Sequence, residues 1–112
     1  MKVVLLGSTG MIGKGVLLEC LQHNSIEKVL IINRRPVNMR HEKLTEVIHK
    51  DFRDFSGFKD QLKHYDACFF CLGVSSVGMT EEHYREITFD LTLNFAQAML
   101  AANPQAVFCY VS

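Results

Sequence analysis

Residues 2–15 of the 112-residue chain read KVVLLGSTGMIGKG, and this pattern is the strongest indication of its fold. Residues 2–6 form an almost uninterrupted apolar run, the pattern of a strand that is buried on both faces of a parallel sheet. Glycines follow at positions 7, 10 and 13. Apolar side chains then recur at helical spacing, which predicts a helix over residues 11–23. The chain therefore begins with a buried strand, a glycine-rich turn and an amphipathic helix.

Strands and helices continue to alternate along the rest of the chain. Apolar runs predict strands over residues 28–33, 47–49, 67–72 and 106–111. Helical patterns predict a short helix that starts at residue 56 or 57 and ends near 62, and a long helix over residues 80–102 with Thr80 as its cap. Such alternation is typical of an α/β, Rossmann-like doubly wound parallel sheet. Right-handed crossovers between five strands give the order 3-2-1-4-5.

The composition limits the size of the protein and its partners. A single domain over residues 1–112 is expected at this length, and 48% hydrophobic with 21% charged residues favours a packed core over disorder. Twelve basic residues balance twelve acidic residues, which gives no support to binding of nucleic acid. No apolar run approaches the ~20 residues that span a bilayer. We therefore expect a cytoplasmic protein whose partners include neither nucleic acid nor a membrane.

The three glycines have the spacing G-x-x-G-x-x-G between a strand and a helix, the place of a dinucleotide-binding loop. Gly7 would let the chain leave the strand tightly, Gly10 would let the backbone approach a pyrophosphate, and Gly13 would let the helix pack closely on the sheet. The helix N-terminus offers unpaired N–H groups to phosphates. Ser8 and Thr9 add hydroxyl donors. The alternative interpretation is a glycine turn that binds no ligand.

The end of the second strand predicts which dinucleotide binds. The acidic residue that holds the ribose of NAD usually lies about 20 residues past the motif, and here that position is Asn33. Asn33 has no charge to repel a 2′-phosphate, and Arg34 and Arg35 follow it as cations suited to bind one, with Arg34 closer to the strand. Residues 33–43 contain four cationic side chains and one acid, Glu42, a local charge of +3. The pattern favours NADP over NAD, and a solvated basic loop is the alternative.

The other reactive side chains are predicted to serve the structure. Cys68 and Cys71 have the spacing C-x-x-C. Their odd separation puts them on opposite faces of a strand, which is typical of core cysteines and not of a redox pair. The five histidines do not have the spacing of a zinc site. No metal-binding residues are predicted.

These motifs together resemble those of the short-chain dehydrogenase/reductase superfamily, in its extended or atypical, epimerase-like branch. The matching stretches are G-S-T-G-M-I-G at 7–13, N-R-R at 33–35, Asp51, C-L-G at 71–73, T-F-D-L-T-L-N at 88–94 and Y-V-S at 110–112. N-R-R together with C-L-G-V-S-S at 71–76 is similar to the atypical subgroup that contains the human Tat-interacting protein of 30 kDa.

The resemblance implies a cofactor site that is assembled from these motifs. The pyrophosphate would be held by Ser8, Thr9, Gly10, Met11 and Ile12. The 2′-phosphate and adenine would be held by Arg34 and Arg35. The adenine amino group would donate to Asp51, with Phe52 beside the ring, and the ribose wall would consist of Leu72, Gly73 and Val74.

The resemblance also implies a catalytic centre that these residues do not contain. The superfamily uses a serine or threonine after the fifth strand and a Tyr-x-x-x-Lys motif, in which the tyrosine is the acid/base. Here Tyr65 is followed by Phe69 and Tyr84 by Thr88 at the lysine position. We therefore expect no catalytic residue within residues 1–112, and expect the chain to be the N-terminal portion of a longer protein, truncated after the fifth strand.

The expected longer protein transfers hydride between NADP and a small carbonyl or alcohol substrate, and residues 1–112 alone bind the cofactor without turnover. A non-catalytic NADP-sensing or protein-interaction module is the alternative, and a structural fragment that binds nothing is a third. The resemblance implies homodimer formation through the helix over residues 80–102, although packing on the sheet already accounts for its apolar stripe.

Overall fold

The computed structural model describes residues 1–8, 11–51, 54–71 and 80–111. Five strands form one parallel sheet: β1 Lys2–Leu6, β2 Lys28–Asn33, β3 Leu44–Ile48, β4 Ala67–Phe70 and β5 Val107–Tyr110. The helices are α1 Met11–Gln22, α2 Lys59–Leu62, which follows a 3-10 turn over Ser56–Phe58, and α3 Glu81–Ala102. The strand order is β3-β2-β1-β4-β5 with every pair parallel. The predicted doubly wound α/β sheet and its order are confirmed.

Strand β3 begins earlier than the sequence predicts. The prediction placed it over residues 47–49, whereas β3 pairs with β2 from Leu44 opposite Val29 to Ile48 opposite Asn33. The prediction relied on an apolar run, and β3 lies at the edge of the sheet, where polar and apolar residues are mixed because only one side is paired and burial is partial. That prediction of the boundaries was wrong, although the strand itself is present.

The two faces of the sheet carry separate apolar layers. Alternate residues of each central strand point to opposite faces, so both faces of β1 and β2 are buried and the strands read as continuous apolar runs. The layer under α2 and α3 contains Val4, Leu6, Leu30, Ile32, Leu62, Phe70, Phe95 and Met99. The layer under α1 contains Val3, Leu5, Leu17, Leu21, Val29 and Ile31.

Phe95 anchors α3 to the sheet. Its side chain is fully buried, and its ring meets the ring of Phe55 edge to face, with the centroids 4.8 Å apart. The rings of Phe70 and Phe108 lie 6.3 Å and 6.4 Å from it. Aromatic rings in these arrangements add specific geometry to the apolar area they bury. Phe95 therefore joins the long helix to β4, to β5 and to the segment before α2.

Polar side chains set the two ends of α3. At the start, the Thr80 hydroxyl oxygen accepts from the backbone N–H of His83 at 3.1 Å, which confirms the predicted cap. At the end, Asn103 leaves the helical conformation, and its side-chain N–H donates to the carbonyl oxygen of Tyr65 at 2.9 Å. The helix is thus stopped where the sequence predicts and is tied to the chain that enters β4.

Helix α3 also has an apolar stripe that the sequence analysis did not single out. Within the predicted sheet-facing stripe, Phe95 and Met99 are buried. A second set, Phe89, Leu93 and Leu100, is exposed to solvent on the same helix.

In the part of the chain that the structure describes, no helix combines the length and the apolar character that crossing a membrane requires.

The connection between β2 and β3, residues 34–43, contains no helix. A right-handed crossover between parallel strands places it on the α1 side of the sheet, and there Val37 and Met39 pack against the apolar layer under α1. Between them Asn38 has a φ of 55°, in the left-handed region that asparagine tolerates better than most residues. An irregular segment instead of a helix thus runs beside α1.

The cysteines lie as the sequence predicts. Cys68 belongs to the layer under α2 and α3, whereas Cys71 packs against the layer under α1, so the pair occupies opposite faces. All four cysteines are free thiols. Burial raises the pKa of the Cys20 and Cys71 thiols and raises the pKa of Cys68 well above its usual value. These thiols stay protonated, as suits side chains that serve packing.

Replacing Phe95 by alanine tests the role of this ring. Phe95→Ala should lower the free energy of unfolding by about 3–5 kcal/mol, because it leaves a cavity between α3 and the sheet. The matched control is Phe89→Ala, the same substitution at a 63% exposed position of the same helix, which should stay within about 0.5 kcal/mol of the unsubstituted chain. Urea unfolding measures both, and equal losses would contradict the packing described.

Candidate functional site

The turn from β1 into α1 brings the backbone of Gly13 close to the backbone of Gly7. Gly7 has a φ of 85°, which side chains rarely adopt. A Cβ at Gly13 would lie 2.6 Å from the carbonyl carbon of Gly7 and 3.2 Å from the Cα of Ser8, and closer still to the Gly7 oxygen. The tight exit from β1 and the close approach of α1 are therefore as the sequence predicts. Thr9 and Gly10 lie outside the described residues.

A chain of hydrogen bonds links this turn to β2 and β3. The Ser8 hydroxyl donates to the side-chain oxygen of Asn33 at 2.7 Å, and the Asn33 side-chain nitrogen donates to Glu46 at 3.1 Å. The same Glu46 oxygen accepts from the backbone N–H of Val37 at 2.9 Å. Ser8 and Asn33 are almost completely buried. The charged acceptor at the end of the chain strengthens and orients the bonds that lead to it.

Two residues of the predicted cofactor site, Ser8 and Asn33, have hydrogen-bond partners within the protein. The Ser8 hydroxyl, predicted as a donor to phosphate, donates to Asn33. Asn33 uses both ends of its carboxamide, and its backbone oxygen accepts from the N–H of His49 at 2.8 Å. Contact of either side chain with a cofactor stays a prediction. Glu46 was missed, and its signal in the sequence is a single acid inside the stretch L-T-E-V-I of β3.

The other predicted residues lie around the same edge of the sheet. The carboxyl ends of β1, β2 and β4 are in register, with Leu6 opposite both Ile32 and Phe70. Arg34 and Arg35 follow β2 and are exposed, and so is Ile12 in the first turn of α1. Met11 begins α1. The predictions for Phe52, Leu72, Gly73 and Val74 fall outside the described residues.

The segment after β3 is held near this edge by His49. Its ring meets Phe58 edge to face with the centroids 4.8 Å apart, and its Nε2 lies 2.7 Å from the carbonyl oxygen of Asp54. The Asp54 carboxylate accepts from the backbone N–H of Ser56 at 2.9 Å, and this bond lowers the pKa of Asp54. Asp51, the residue predicted to meet adenine, is exposed at the start of this anchored segment.

A cleft of about 580 Å³ opens beside Ser8, between α1 and residues 37–40. Its size is that of a small-molecule site. The apolar part of its lining consists of Leu17, Val37 and Met39, and the polar part of Ser8, Lys14, Asn38 and Arg40. The lining thus contains two cations and no acid. Across the residues that the structure describes, no three His, Cys, Asp or Glu side chains gather as metal ligands.

An alanine substitution tests the contact between the two glycines. Gly13→Ala should lower the free energy of unfolding by about 1–3 kcal/mol and displace the turn, because its methyl group would overlap the Gly7 carbonyl. Gly15→Ala is the control on the same helix, where an added Cβ meets nothing within 4 Å and should stabilise the helix by about 0.5–1 kcal/mol. Thermal and urea unfolding compare the two, and a stable Gly13→Ala variant would contradict the contact.

A second substitution tests the hydrogen-bond chain. Asn33→Asp should lower the free energy of unfolding by about 2 kcal/mol at pH 7.5, because it replaces a donor to Glu46 by a second carboxylate. The loss should shrink at pH 5, where protonation of either carboxyl removes the repulsion. Asn38→Asp, at an exposed position, is the control and should change little at either pH. A loss for Asn33→Asp that does not depend on pH would contradict the contact with Glu46.

Three known proteins are similar to this chain, one in sequence and two in structure. It is 33% identical over 114 residues to Leucinostatins biosynthesis cluster protein T of Purpureocillium lilacinum, covering 97% of this chain and 42% of that protein. The uronate dehydrogenase of Agrobacterium tumefaciens, a Y136A mutant complexed with NAD, superposes with a TM-score of 0.73 and 19% identity, over 99% of this chain and 40% of that one. The UDP-N-acetylglucosamine 4-epimerase of Bacillus cereus superposes with a TM-score of 0.72 and 18% identity, over 100% of this chain and 36% of that one.

The chain spans about two fifths of the length of these relatives. The two solved structures share the order and direction of the strands and confirm the Rossmann-like fold. The model of the NAD dependent epimerase/dehydratase family matches residues 3–112. This match confirms the predicted resemblance to epimerase-like proteins, and the chain belongs to the NAD dependent epimerase/dehydratase family.

Proposed function

We propose that this chain binds a nicotinamide dinucleotide, NADP(H) in preference to NAD(H), as the N-terminal, cofactor-binding portion of an oxidoreductase or epimerase-like protein. The observation that carries the proposal is the meeting of Gly7 and Gly13, which brings the N-terminus of α1 close to the end of β1. Unpaired N–H groups and the positive end of the helix dipole are thereby directed to the place where a pyrophosphate binds in this fold. The NAD-bound uronate dehydrogenase with the same fold supports the proposal.

The residues after β2 support the preference for NADP(H). An acid at the end of this strand would accept from the 2′-hydroxyl of NAD and repel a 2′-phosphate. Here the position is the neutral, buried Asn33, and the exposed Arg34 and Arg35 follow it. The nearest acid along the next strand, Glu46, is engaged by Asn33 and by the backbone of Val37. A guanidinium at this edge can bind a phosphate through two parallel hydrogen bonds.

We assign residues 1–112 to binding of the dinucleotide and not to catalysis. When bound, the nicotinamide supplies the hydride acceptor or donor of the reaction, and we propose that the longer protein uses it with a small carbonyl or alcohol substrate. Tyr65 does not suit an acid/base role, because it is buried and burial raises the pKa of its hydroxyl. Residues 1–112 are therefore proposed to hold and orient the dinucleotide without turnover.

Isothermal titration of the 112-residue chain with NADPH and with NADH tests the proposal. NADPH should bind more tightly by about tenfold or more, the worth of one charge-assisted contact. Binding of neither dinucleotide would overturn the cofactor role, and tighter binding of NADH would overturn the preference. Robust reduction of carbonyl substrates by these residues alone would contradict the assignment to binding.

A second candidate is a module whose interaction with other proteins depends on the bound nucleotide. The exposed Phe89, Leu93 and Leu100 of α3 favour it, because large apolar side chains on one helix are typical of an interface. The same stripe would serve a homodimer. Sedimentation of the titration samples with and without NADPH distinguishes a monomer from a dimer, and a change of state on binding NADPH would favour the module.

A further inference from the structure

The cleft beside α1 exists because β2 and β3 are joined without a helix. Residues 34–43 instead run as an irregular segment over the α1 side of the sheet, where Val37 and Met39 pack on the core. Helix α1 stands on the other side of the cleft with Leu17 and Lys14. These two residues are three apart and so occupy neighbouring positions on one face of the helix. The cleft is thus built from two elements of the fixed core and not from surface side chains alone.

The position of the cleft ties it to the glycine loop. Ser8, which directly follows Gly7, is part of its lining. Ser8 in turn donates to Asn33 at the carboxyl end of β2. A dinucleotide whose pyrophosphate lies at the N-terminus of α1 places its adenosine toward the end of β2. The cleft therefore opens next to the 2′-position of that ribose.

Asn33 does not account for recognition at this position. Its carboxamide oxygen accepts from Ser8 and its nitrogen donates to Glu46, and its side chain is almost completely buried. Its burial leaves little of this side chain open to a group on the ribose. Side chains that face the cleft are better placed to read the 2′-position.

The charge of the cleft suits a phosphate. Lys14 on α1 and Arg40 on the irregular segment are its two ionisable lining residues, and both are cations. The ion pairs between the N-terminus and Glu27 and between Lys63 and Asp60 involve neither of these cations. Two cations on opposite walls can approach one phosphate from two sides. The half-buried Val37 and Met39 offer adjoining apolar surface to the sugar.

We propose that Lys14 and Arg40 form a phosphate clamp across this cleft and select the 2′-phosphate of NADP(H), in addition to Arg34 and Arg35. The assignment rests on the proposed binding of a nicotinamide dinucleotide. Lys14 comes directly after the glycine motif and outside the basic stretch of residues 33–43, whereas Arg40 lies within that stretch, seven residues beyond Asn33.

Titration with two nucleotides, 2′,5′-ADP and 5′-AMP, isolates the 2′-phosphate. Lys14→Ala and Arg40→Ala should each weaken binding of 2′,5′-ADP by about tenfold, because each removes one charged contact to the phosphate. Binding of 5′-AMP should change by less than about twofold, since its phosphate lies at the glycine loop. Lys14→Arg keeps the charge and should retain most of the affinity. Circular dichroism confirms that each variant is folded.

The control for the loss of a positive charge is Lys59→Ala. Lys59 is exposed on α2, on the face of the sheet opposite to the cleft. Its removal changes the net charge equally and should leave both affinities unchanged. An equal loss in Lys59→Ala would mean that the effect is the overall field and would overturn the clamp.

The remaining outcomes separate the clamp from the proposed function. Equal losses of 2′,5′-ADP and 5′-AMP in Lys14→Ala and Arg40→Ala would place the clamp at the 5′-phosphate and overturn the assignment. Unchanged binding of 2′,5′-ADP in both variants would overturn the clamp while the cofactor role stands. If the unsubstituted chain binds neither NADPH, NADH nor 2′,5′-ADP, the cofactor role fails, and the clamp fails with it.

Discussion

The backbone of Gly13 lies against the carbonyl group of Gly7 at the start of α1. This contact fixes how near α1 stands to the end of β1, because any side chain at Gly13 would overlap the Gly7 carbonyl. That distance determines which residues of α1 reach the apolar layer beneath it, and it leaves Ser8 buried within reach of Asn33. Packing, the hydrogen-bond chain and the direction of the helix N-terminus all follow from one close approach.

Much of the fold could be predicted from the sequence because the central strands are buried on both faces. The runs at β1 and β2 are apolar throughout, and the glycines between β1 and α1 mark the turn. Strand β3 was misplaced because an edge strand need not be apolar along its length. The caps of α3 were predictable, since the Thr80 hydroxyl and the backbone N–H of Asn103 bond groups only a few residues away. The bond from the Asn103 side chain to Tyr65 joins residues 38 apart and was not predicted.

The candidate site was predictable only where its residues are local in sequence. Glycine spacing identifies a loop, but Glu46 acts on Asn33 through strand pairing that no short motif records. Lys14 and Arg40 face one cleft because a crossover places the segment that carries Arg40 beside α1. Such contacts depend on the path of the chain between strands. Residue type and local spacing therefore could not reveal them.

The connection of residues 34–43 carries its core contacts and its exposed charges on different side chains. Its core contacts come from Val37 and Met39, whereas Arg34, Arg35 and Arg40 are exposed, and Lys14 across the cleft is exposed too. Exposed charges can be exchanged at little cost in folding stability. In the role proposed for this chain, substitutions of these exposed charges would change the preferred nucleotide while the sheet and its helices keep their packing.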